Sequence, residues 1–288
     1  MSSFHGRRLL GVLALLAPLA AGSVSGRQDG RADPGTAAGQ PAGASPVRVV
    51  SLNMQGKLDG EKALREFRGS ETRRRADIFL FQEIHGDPRQ SRAFIDGLSR
   101  SLGLPFVHVS DDARLAIKGS GQAVISRFAL KETAVISLKY FNLVYRSRER
   151  IALAQTVETP LGDVRLFNLH LDVRVNSDQR IDQLSAVLEA ADKETRPVII
   201  GGDFNTAYLY WVGHVLPVPG NRNQRRALLK RMAGSGYQTP FESTGPTHDR
   251  LGFQLDWLFL RKLRPLAAGT QKVGFSDHHA IWADILLQ

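Results

Sequence analysis

The 288-residue chain contains no cysteine. That absence excludes a disulfide framework, a thiolate zinc site and a cysteine nucleophile together, so any bound metal must rest on oxygen or imidazole. Long apolar runs are also scarce. The longest, from Leu9 to about Ala21, falls short of the roughly 20 residues that span a bilayer comfortably. It follows Arg7 and Arg8 and leads into Ala20, Ala21, Gly22, Ser23, Ser25 and Gly26. Charged, then apolar, then small is the order of a secretory signal. Residues 1–26 are therefore expected to be a signal peptide that exports the chain to a periplasmic or external compartment, the alternative being an uncleaved membrane anchor. Residues 27–45 are rich in Gly, Ala, Ser and Pro and have too little apolar content to build a core, so they are expected to be a flexible linker.

Acidic residues are outnumbered. The formal net charge is +10, of which Arg7 and Arg8 in the leader carry two. The excess favours an anionic partner: nucleic acid, a phosphorylated small molecule or an anionic membrane surface. Otherwise the composition is that of an ordinary globular chain, 42% apolar and 23% charged, long enough for one large domain over 46–288. A monomer is expected.

A recurrent short pattern organises that domain. Apolar runs of strand length stop in residues that bind metals or move protons. VRVVSL (47–52) runs into Asn53, DIFLF (77–81) into Gln82 and Glu83, and DVRLF (163–167) into Asn168 and His170. PVII (197–200) runs into Gly201, Gly202, Asp203, Phe204 and Asn205. Asp256 lies inside the run 253–260, and Ser276, Asp277, His278 and His279 open a last run at 280–287. Such β-branched and aromatic runs read as strands, several of them buried on both faces. Helical spacing appears over 61–67, 90–102, 179–193 and 222–233. Further strand signals at 123–125, 134–138 and 151–158 come without intervening helices and suggest antiparallel pairs. The expected fold is a mixed-sheet, layered α/β domain.

In open α/β sheets the functional site gathers beyond strand ends. The candidate constellation is Asn53, Glu83, His170, Asp203, Asn205, Asp256, Asp277 and His278. Hard oxygen donors with little imidazole suit Mg2+ or Mn2+, with Glu83 as main ligand and Asn53 and Asp277 beside it. Asp203 and Asn205, two positions apart, can grip one water or phosphate oxygen. Histidine carries protons near neutral pH, and a carboxylate on its other nitrogen fixes the tautomer and raises its pKa. Asp256 is the candidate orienter of His278, and His170 can donate to a non-bridging oxygen. His279, opposite in direction to His278 if a strand has begun, is expected to be structural. Arg127 either supports the site or exits a strand. Arg146, Arg148 and Arg150 alternate, so on a strand they share a face that could track phosphates. Arg222, Arg225, Arg226, Lys230 and Arg231 form a second basic cluster. Tyr208, Tyr210 and Trp211 could stack on a base, rest in lipid headgroups or pack as core.

The motifs SLNMQG (51–56), FQEI (81–84), SGQAVISR (120–127), FNLHLD (167–172), GGDFN (201–205), QLDWLFL (254–260) and SDHH (276–279) follow one another in an order that resembles the endonuclease/exonuclease/phosphatase superfamily. Each is weak alone; seven in order are a strong signal covering 47–288. The resemblance implies a four-layer α/β/β/α sandwich, two mixed β-sheets flanked by helices. It also implies metal binding at Asn53 and Glu83, water or phosphate handling at Asp203 and Asn205, and a His278–Asp256 pair. The general base is left between Asp203 and His278. The superfamily includes pancreatic-type deoxyribonucleases, apurinic endonucleases, neutral sphingomyelinases and inositol polyphosphate 5-phosphatases. His170, in Asn168-Leu169-His170, is similar to the deoxyribonuclease, sphingomyelinase and 5-phosphatase branches rather than the apurinic one. Lack of cysteine departs from secreted animal deoxyribonucleases.

The resulting expectation is an exported, metal-dependent phosphodiesterase, first of all a nuclease, with Arg127, Arg148 and Tyr208 as substrate contacts. The alternatives are a sphingomyelinase-like lipid phosphodiesterase, an inositol or sugar phosphate phosphatase, and a non-catalytic binding protein that keeps the fold.

Overall fold

Alternation is the first thing the backbone enforces. In the segment Val47–Asn53, Val47 and Val49 join one buried cluster while Val50 and Leu52 join another. In Ile78–Gln82, Ile78 and Leu80 go with the first cluster, Phe79 and Phe81 with the second. Successive strand side chains point to opposite faces, so a strand buried along its whole length must be covered by two different layers.

A computed structural model of the chain describes residues 45–56, 60–84, 88–110, 121–143, 149–220 and 224–288. The leader 1–26, all but the last residue of the linker 27–45, and Arg146, Arg148 and Arg222 lie outside the described residues. In chain order the elements are β1 (Val47–Asn53), α1 (Gly60–Gly69), α2 (Glu71–Arg74), β2 (Ile78–Gln82), α3 (Pro88–Leu102), β3 (Phe106–Val109), β4 (Ala123–Ser126), β5 (Leu130–Ser137), β6 (Ile151–Thr159), β7 (Gly162–His170), α4 (Ser177–Asp192), β8 (Val198–Asp203), β9 (Leu209–Val212), β10 (Leu216–Pro219), α5 (Gln224–Gly234), β11 (Asp256–Arg261), β12 (Leu263–Gln271) and β13 (Ala280–Leu287). No helix among the described residues is long and apolar enough to cross a membrane.

Two mixed sheets result. One has the order β12-β13-β1-β2-β4-β3, the other β11-β8-β7-β6-β5, and β9 with β10 forms a separate hairpin. Both large sheets have a parallel centre, β1 with β2 and β7 with β8, flanked by antiparallel partners. The sheets share the first buried cluster, and α4 and α5 add Leu184, Val187, Leu188, Leu228 and Met232 to it from the far side of the five-stranded sheet. The second cluster lies between the six-stranded sheet and α1 and α3. There Phe67 meets Phe79 and Phe81 edge-on, at centroid distances of 5.3 and 5.8 Å, the geometry ring quadrupoles prefer. The architecture is the four-layer α/β/β/α sandwich.

A polar bridge fixes one sheet against the other. Gln82 Nε2 donates to Asn168 Oδ1 at 2.7 Å and to Ser51 Oγ at 3.1 Å, and Asn168 Nδ2 donates to the carbonyls of Phe81 and Ala123. Each buried amide would be costly without its partner, so sliding one sheet over the other is penalised.

Four strands escape a reading by local pattern. The strand β12 contains Pro265 and Gly269, and its pairing with β13 slips between Pro265 and Ala267. Proline is tolerated there because β12 is an edge strand with a bulge. β3 is short and only partly buried, and the hairpin β9–β10 carries two prolines and exposed apolar side chains.

Candidate active site

The inward rows of four central strands all change character toward the same end. Along β1 the row is Val47, Val49, Ser51, Asn53; along β2 it is Ile78, Leu80, Gln82. Along β7 it ends in Asn168 and His170, along β8 in Gly201 and Asp203. Because β1, β2, β7 and β8 run parallel in pairs, their polar ends coincide. Antiparallel partners enter where these strands leave: β11 begins with Asp256 directly opposite Asp203, and β13 begins just after His278. His170 is also in register with Asp203. His170, Asp203 and Asp256 therefore stand side by side on one face, as cross-strand neighbours must.

Two glycines make that close approach feasible. A Cβ at Gly201 would lie 2.8 Å from Leu80 Cδ1 and closer still to Leu258, so only hydrogen fits between the sheets. Gly202 has φ +136 and its absent Cβ would strike the Leu169 carbonyl. The chain then turns sharply: Glu83, Gln55 and Asn205 all have φ between 51 and 53, a left-handed conformation that ordinary residues adopt rarely and that clusters at functional sites.

The side chains form one connected network. Asn53 Nδ2 donates to Asp203 Oδ2 at 2.9 Å, across the two sheets. Asp203 Oδ1 accepts from the Asn205 N–H at 2.8 Å, and Asn205 Nδ2 is tied to the Leu171 carbonyl. His278 Nδ1 meets Asp256 Oδ2 at 2.9 Å, and its Nε2 faces Asp203 Oδ2 at 3.9 Å. Thr247 Oγ1 donates to the same Asp256 oxygen at 2.6 Å. His170 Nε2 lies 3.5 Å from Asp203 and 3.7 Å from Glu83. Arg150 Nη1 is 3.0 Å from His170 Nδ1. A guanidinium can only donate, so Nδ1 is the acceptor and the ring proton sits on Nε2, aimed at Glu83 and Asp203.

Burial pushes the Asp203 carboxyl up to about 7; His278 pulls against that push and Asp256 adds to it. Burial alone would lower His278, but Asp256 and Asp203 together hold its imidazolium up to about 10. Burial lowers the Arg180 guanidinium to about 10, against the upward pull of Asp203 and Asp172. Burial, reinforced by the charge of His278, lowers His248.

The acids here exceed the cations that face them. Asp256 Oδ1 is buried without a hydrogen-bond partner. Asp203, Asp256 and His278 place ligand atoms within 4.8 Å of one another, as do His248, Asp277 and His278. With Glu83 and Asn53 at the adjoining strand ends, this set of mostly oxygen donors short of positive charge fits a hard divalent cation.

The structure thus gathers Asn53, Glu83, His170, Asp203, Asn205, Asp256, Asp277 and His278. His279 is directed elsewhere, with Nε2 on Asp249 at 2.8 Å. Arg127 is a correction: it pairs with Asp77 at 2.8 Å, at the entrance to β2. Because β4 runs antiparallel to β2, the exit of β4 lies at the far end of the sheet from Glu83. Arg150 is a second correction. It does not join an exposed basic stripe but is buried against Asp172 behind His170. Tyr208 is exposed and rests edge-on against Phe253, while Trp211 is buried. Thr247, His248 and Arg150 are the site residues that no motif announces, and Gln55, inside SLNMQG, joins them although an amide there is neither a hard ligand nor a proton carrier by type. Thr247 and His248 precede a strand rather than end one, so the pattern of polar strand ends passes over them.

A family model described as Endonuclease/Exonuclease/phosphatase family matches residues 50–278. No curated protein matches the chain. Among solved structures the chain is similar to the endonuclease/exonuclease/phosphatase from Beutenbergia cavernae DSM 12333, at 19% identity and a TM-score of 0.66, over 84% of this chain and 72% of that one. It is similar to the human Nocturnin catalytic domain with bound sulfate anion, at 20% identity and TM-score 0.58, over 85% and 94%. TDP2 from Caenorhabditis elegans matches at 19% identity and TM-score 0.56, over 84% and 74%. At these identities the likeness shows the fold.

Proposed function

Since the chain belongs to the endonuclease/exonuclease/phosphatase family, a family of phosphoester hydrolases, we propose that it is an exported phosphodiesterase dependent on Mg2+ or Mn2+, with nucleic acid as its first substrate class. The observation that carries this reading is the row of Asp256, Asp203 and His170 across the five-stranded sheet, with His278 between the first two acids.

The residues divide the work as follows. Glu83, Asn53 and Asp277 would hold the cation, which when bound neutralises phosphoryl charge and stabilises the leaving oxygen. Asp203 and Asn205 align the attacking water. Raised to about 7, Asp203 is suited to accept that water's proton near neutral pH. His278, raised to about 10, is an imidazolium at neutral pH and faces the phosphoryl oxygens as a cation, held by Asp256. His170, with its proton on Nε2, donates to a non-bridging oxygen.

A basic chain and the exposed Arg226, Lys230 and Arg231 on α5 support a polyanionic substrate. A second reading, lipid phosphodiesterase at an anionic membrane surface, rests on the hairpin that follows Asn205. Its residues Tyr208, Tyr210, Val212, Val215 and Leu216 are 38–58% exposed, a patch that water covers at a cost. Export rests on the leader 1–26, and the monomer on the ordinary size of the domain.

The test is hydrolysis of bis(p-nitrophenyl) phosphate by the purified protein with Mg2+, Mn2+ or EDTA, beside Glu83→Ala and His278→Ala. Metal-dependent turnover lost in both variants supports the reading. Silence on this ester, on phosphomonoesters, on DNA and RNA and on sphingomyelin vesicles favours a binding protein. Steep loss of activity with salt marks the nucleic-acid substrate; response to vesicle surface marks the lipid.

A further inference from the structure

The segment before β11 carries a buried histidine that belongs to no motif. His248 forms a single antiparallel bridge with His278. The Asp249 N–H donates to the Asp277 carbonyl at 2.8 Å and the His279 N–H to the Thr247 carbonyl at 2.7 Å. The Thr247–His248 dipeptide is therefore laid along residues 277–279. Thr247 reaches Asp256, on one side of His278. His248 reaches Asp277, on the other: its Nε2 is 3.5 Å from Asp277 Oδ2, and its ring stands edge-on to that of His278, 4.9 Å away.

Two imidazoles and a carboxylate at this spacing would suit a transition metal. The hydrogen bonds of the ring decide against it. Nδ1 of His248 faces the backbone N–H groups of Arg250 and Leu251, both at 3.2 Å. Backbone amides only donate, so Nδ1 holds the lone pair and the proton of the neutral ring is on Nε2. An Nε2–H cannot ligate a metal. It can donate, and the acceptor before it is Asp277. A second neutral donor, Gln55 Nε2, approaches the same Asp277 oxygen at 2.5 Å. Both donors face the same oxygen, Gln55 in a hydrogen bond and His248 from 3.5 Å, so together they bear on where the other oxygen points.

We propose that His248 is a positioning residue of the active site, a neutral hydrogen-bond donor that works with Gln55 to aim the Asp277 carboxylate at the divalent cation. The proposal rests on the metal-dependent reading above. Partners that orient a ligating carboxylate are worth about 10–100-fold in metal affinity.

Mn2+ binding, followed by electron paramagnetic resonance on the full chain, reads this without recourse to turnover. His248→Phe keeps the ring but has no donor, and it is expected to weaken Mn2+ binding about 10–100-fold. His248→Gln keeps an N–H at the reach of Nε2 and should bind within about threefold of wild type. In an Asp277→Asn background, adding His248→Phe should change nothing further, because its only route to the metal is gone. Should the Phe variant lose its near-ultraviolet dichroism, His248→Asn takes its place: its amide stops short of Asp277, so it must bind weakly where His248→Gln binds well. Wild-type affinity in the Phe variant, or a full further loss in the Asp277→Asn background, would overturn the positioning role alone. A wild-type chain that binds no Mn2+ would overturn both this role and the metal-dependent reaction.

Discussion

The two ends of the central strands handle charge in opposite ways. At the entrance end Asp77, Asp284, Glu132 and Glu194 each face an arginine. Asp77 accepts from Arg127 at 2.8 Å and from the Arg48 N–H at 2.9 Å; Arg48 grips Asp284 with two bonds of 2.6 and 2.7 Å; Arg196 spans Glu194 and Glu132 at 2.7 and 2.8 Å. At the exit end Asp203, Asp256, Glu83 and Asp277 surround His278, and what else holds them is mainly neutral donors. The same sheets thus end in closed pairs on one side and in uncompensated acid on the other. Closed pairs add little binding capacity because their charges are already satisfied. Uncompensated buried acid is costly to the fold, and it leaves negative potential and unused lone pairs for a cation and a phosphate ester.

The largest way to break this comparison is at the exit end. Asp203→Asn or His278→Ala should each lower the rate of phosphodiester hydrolysis by about 10^2–10^4-fold, the usual worth of a proton-transfer group. Retained turnover in either variant would mean that the row of acids is not the reacting centre. Behind that row, Arg150 and Asp172 are only 4% and 3% exposed. Arg150→Ala leaves a buried carboxylate without its partner and should cost about 3–5 kcal/mol in urea unfolding. A cost below 1 kcal/mol would show that this buried pair behaves like the exposed ones at the entrance.

Glu83→Gln should separate function from stability. It removes one surplus charge, so metal-dependent turnover is lost while melting without metal stays level or rises. A clear fall in melting temperature would show that Glu83 has a structural partner. The pH dependence sharpens the contrast further. Asp203 is raised from 3.8 to about 7 and His278 from 6.5 to about 10. A raised folded pKa gives stability that is fully present below the unfolded value and is lost as pH rises through the folded one. Metal-free protein should therefore melt progressively earlier between about pH 4 and 10, and His278→Gln should flatten the upper half of that slope. At the entrance, Thr156 and Arg196 hold Glu132 below its usual range, so that end loses stability in the opposite direction, as pH falls below about 4.5. A melting curve flat from pH 7 to 10 in metal-free protein would refute the assignment of His278 as a held cation.

The smallest effect is expected at Arg127. Its pair with Asp77 is 45% exposed on the arginine side, so Arg127→Ala should cost about 0–1 kcal/mol and leave kcat/KM unchanged. A loss in kcat/KM would restore Arg127 to the substrate path and weaken the division between the two ends.

Much of this division is legible from residue order. Asn53, Glu83, His170, Asp203 and Asp256 each end or open an apolar run, and a run that stops in a polar group signals a strand end. The helices are readable from their spacing, as with Leu184, Val187 and Leu188 on α4. Arg127 and Arg150 are misread for a common reason. Spacing reveals which residues share a face, but neither which end of a neighbouring strand they will meet, as with Arg127, nor whether that face is covered, as with Arg150. β4 runs antiparallel to β2, so an arginine 44 positions after Glu83 lands at the opposite edge. β12 hides because edge strands tolerate the Pro265 and Gly269 that a central strand would reject.

By itself the sequence determined the chemistry on offer: no thiol, several carboxylates and imidazoles, and strands that deliver them at their ends. It determined the alternation that sends Asn53, Gln82, Asn168 and Asp203 into the layer between the sheets, since period two is a property of the local backbone. Only the tertiary structure decided which of these groups meet. Asp256 faces Asp203 because β11 and β8 pair antiparallel in that register. The proton of His248 is on Nε2 because two backbone amides of its own turn occupy Nδ1. Registers between distant strands and the tautomer of a buried ring depend on partners brought together by packing, and no local pattern carries that information.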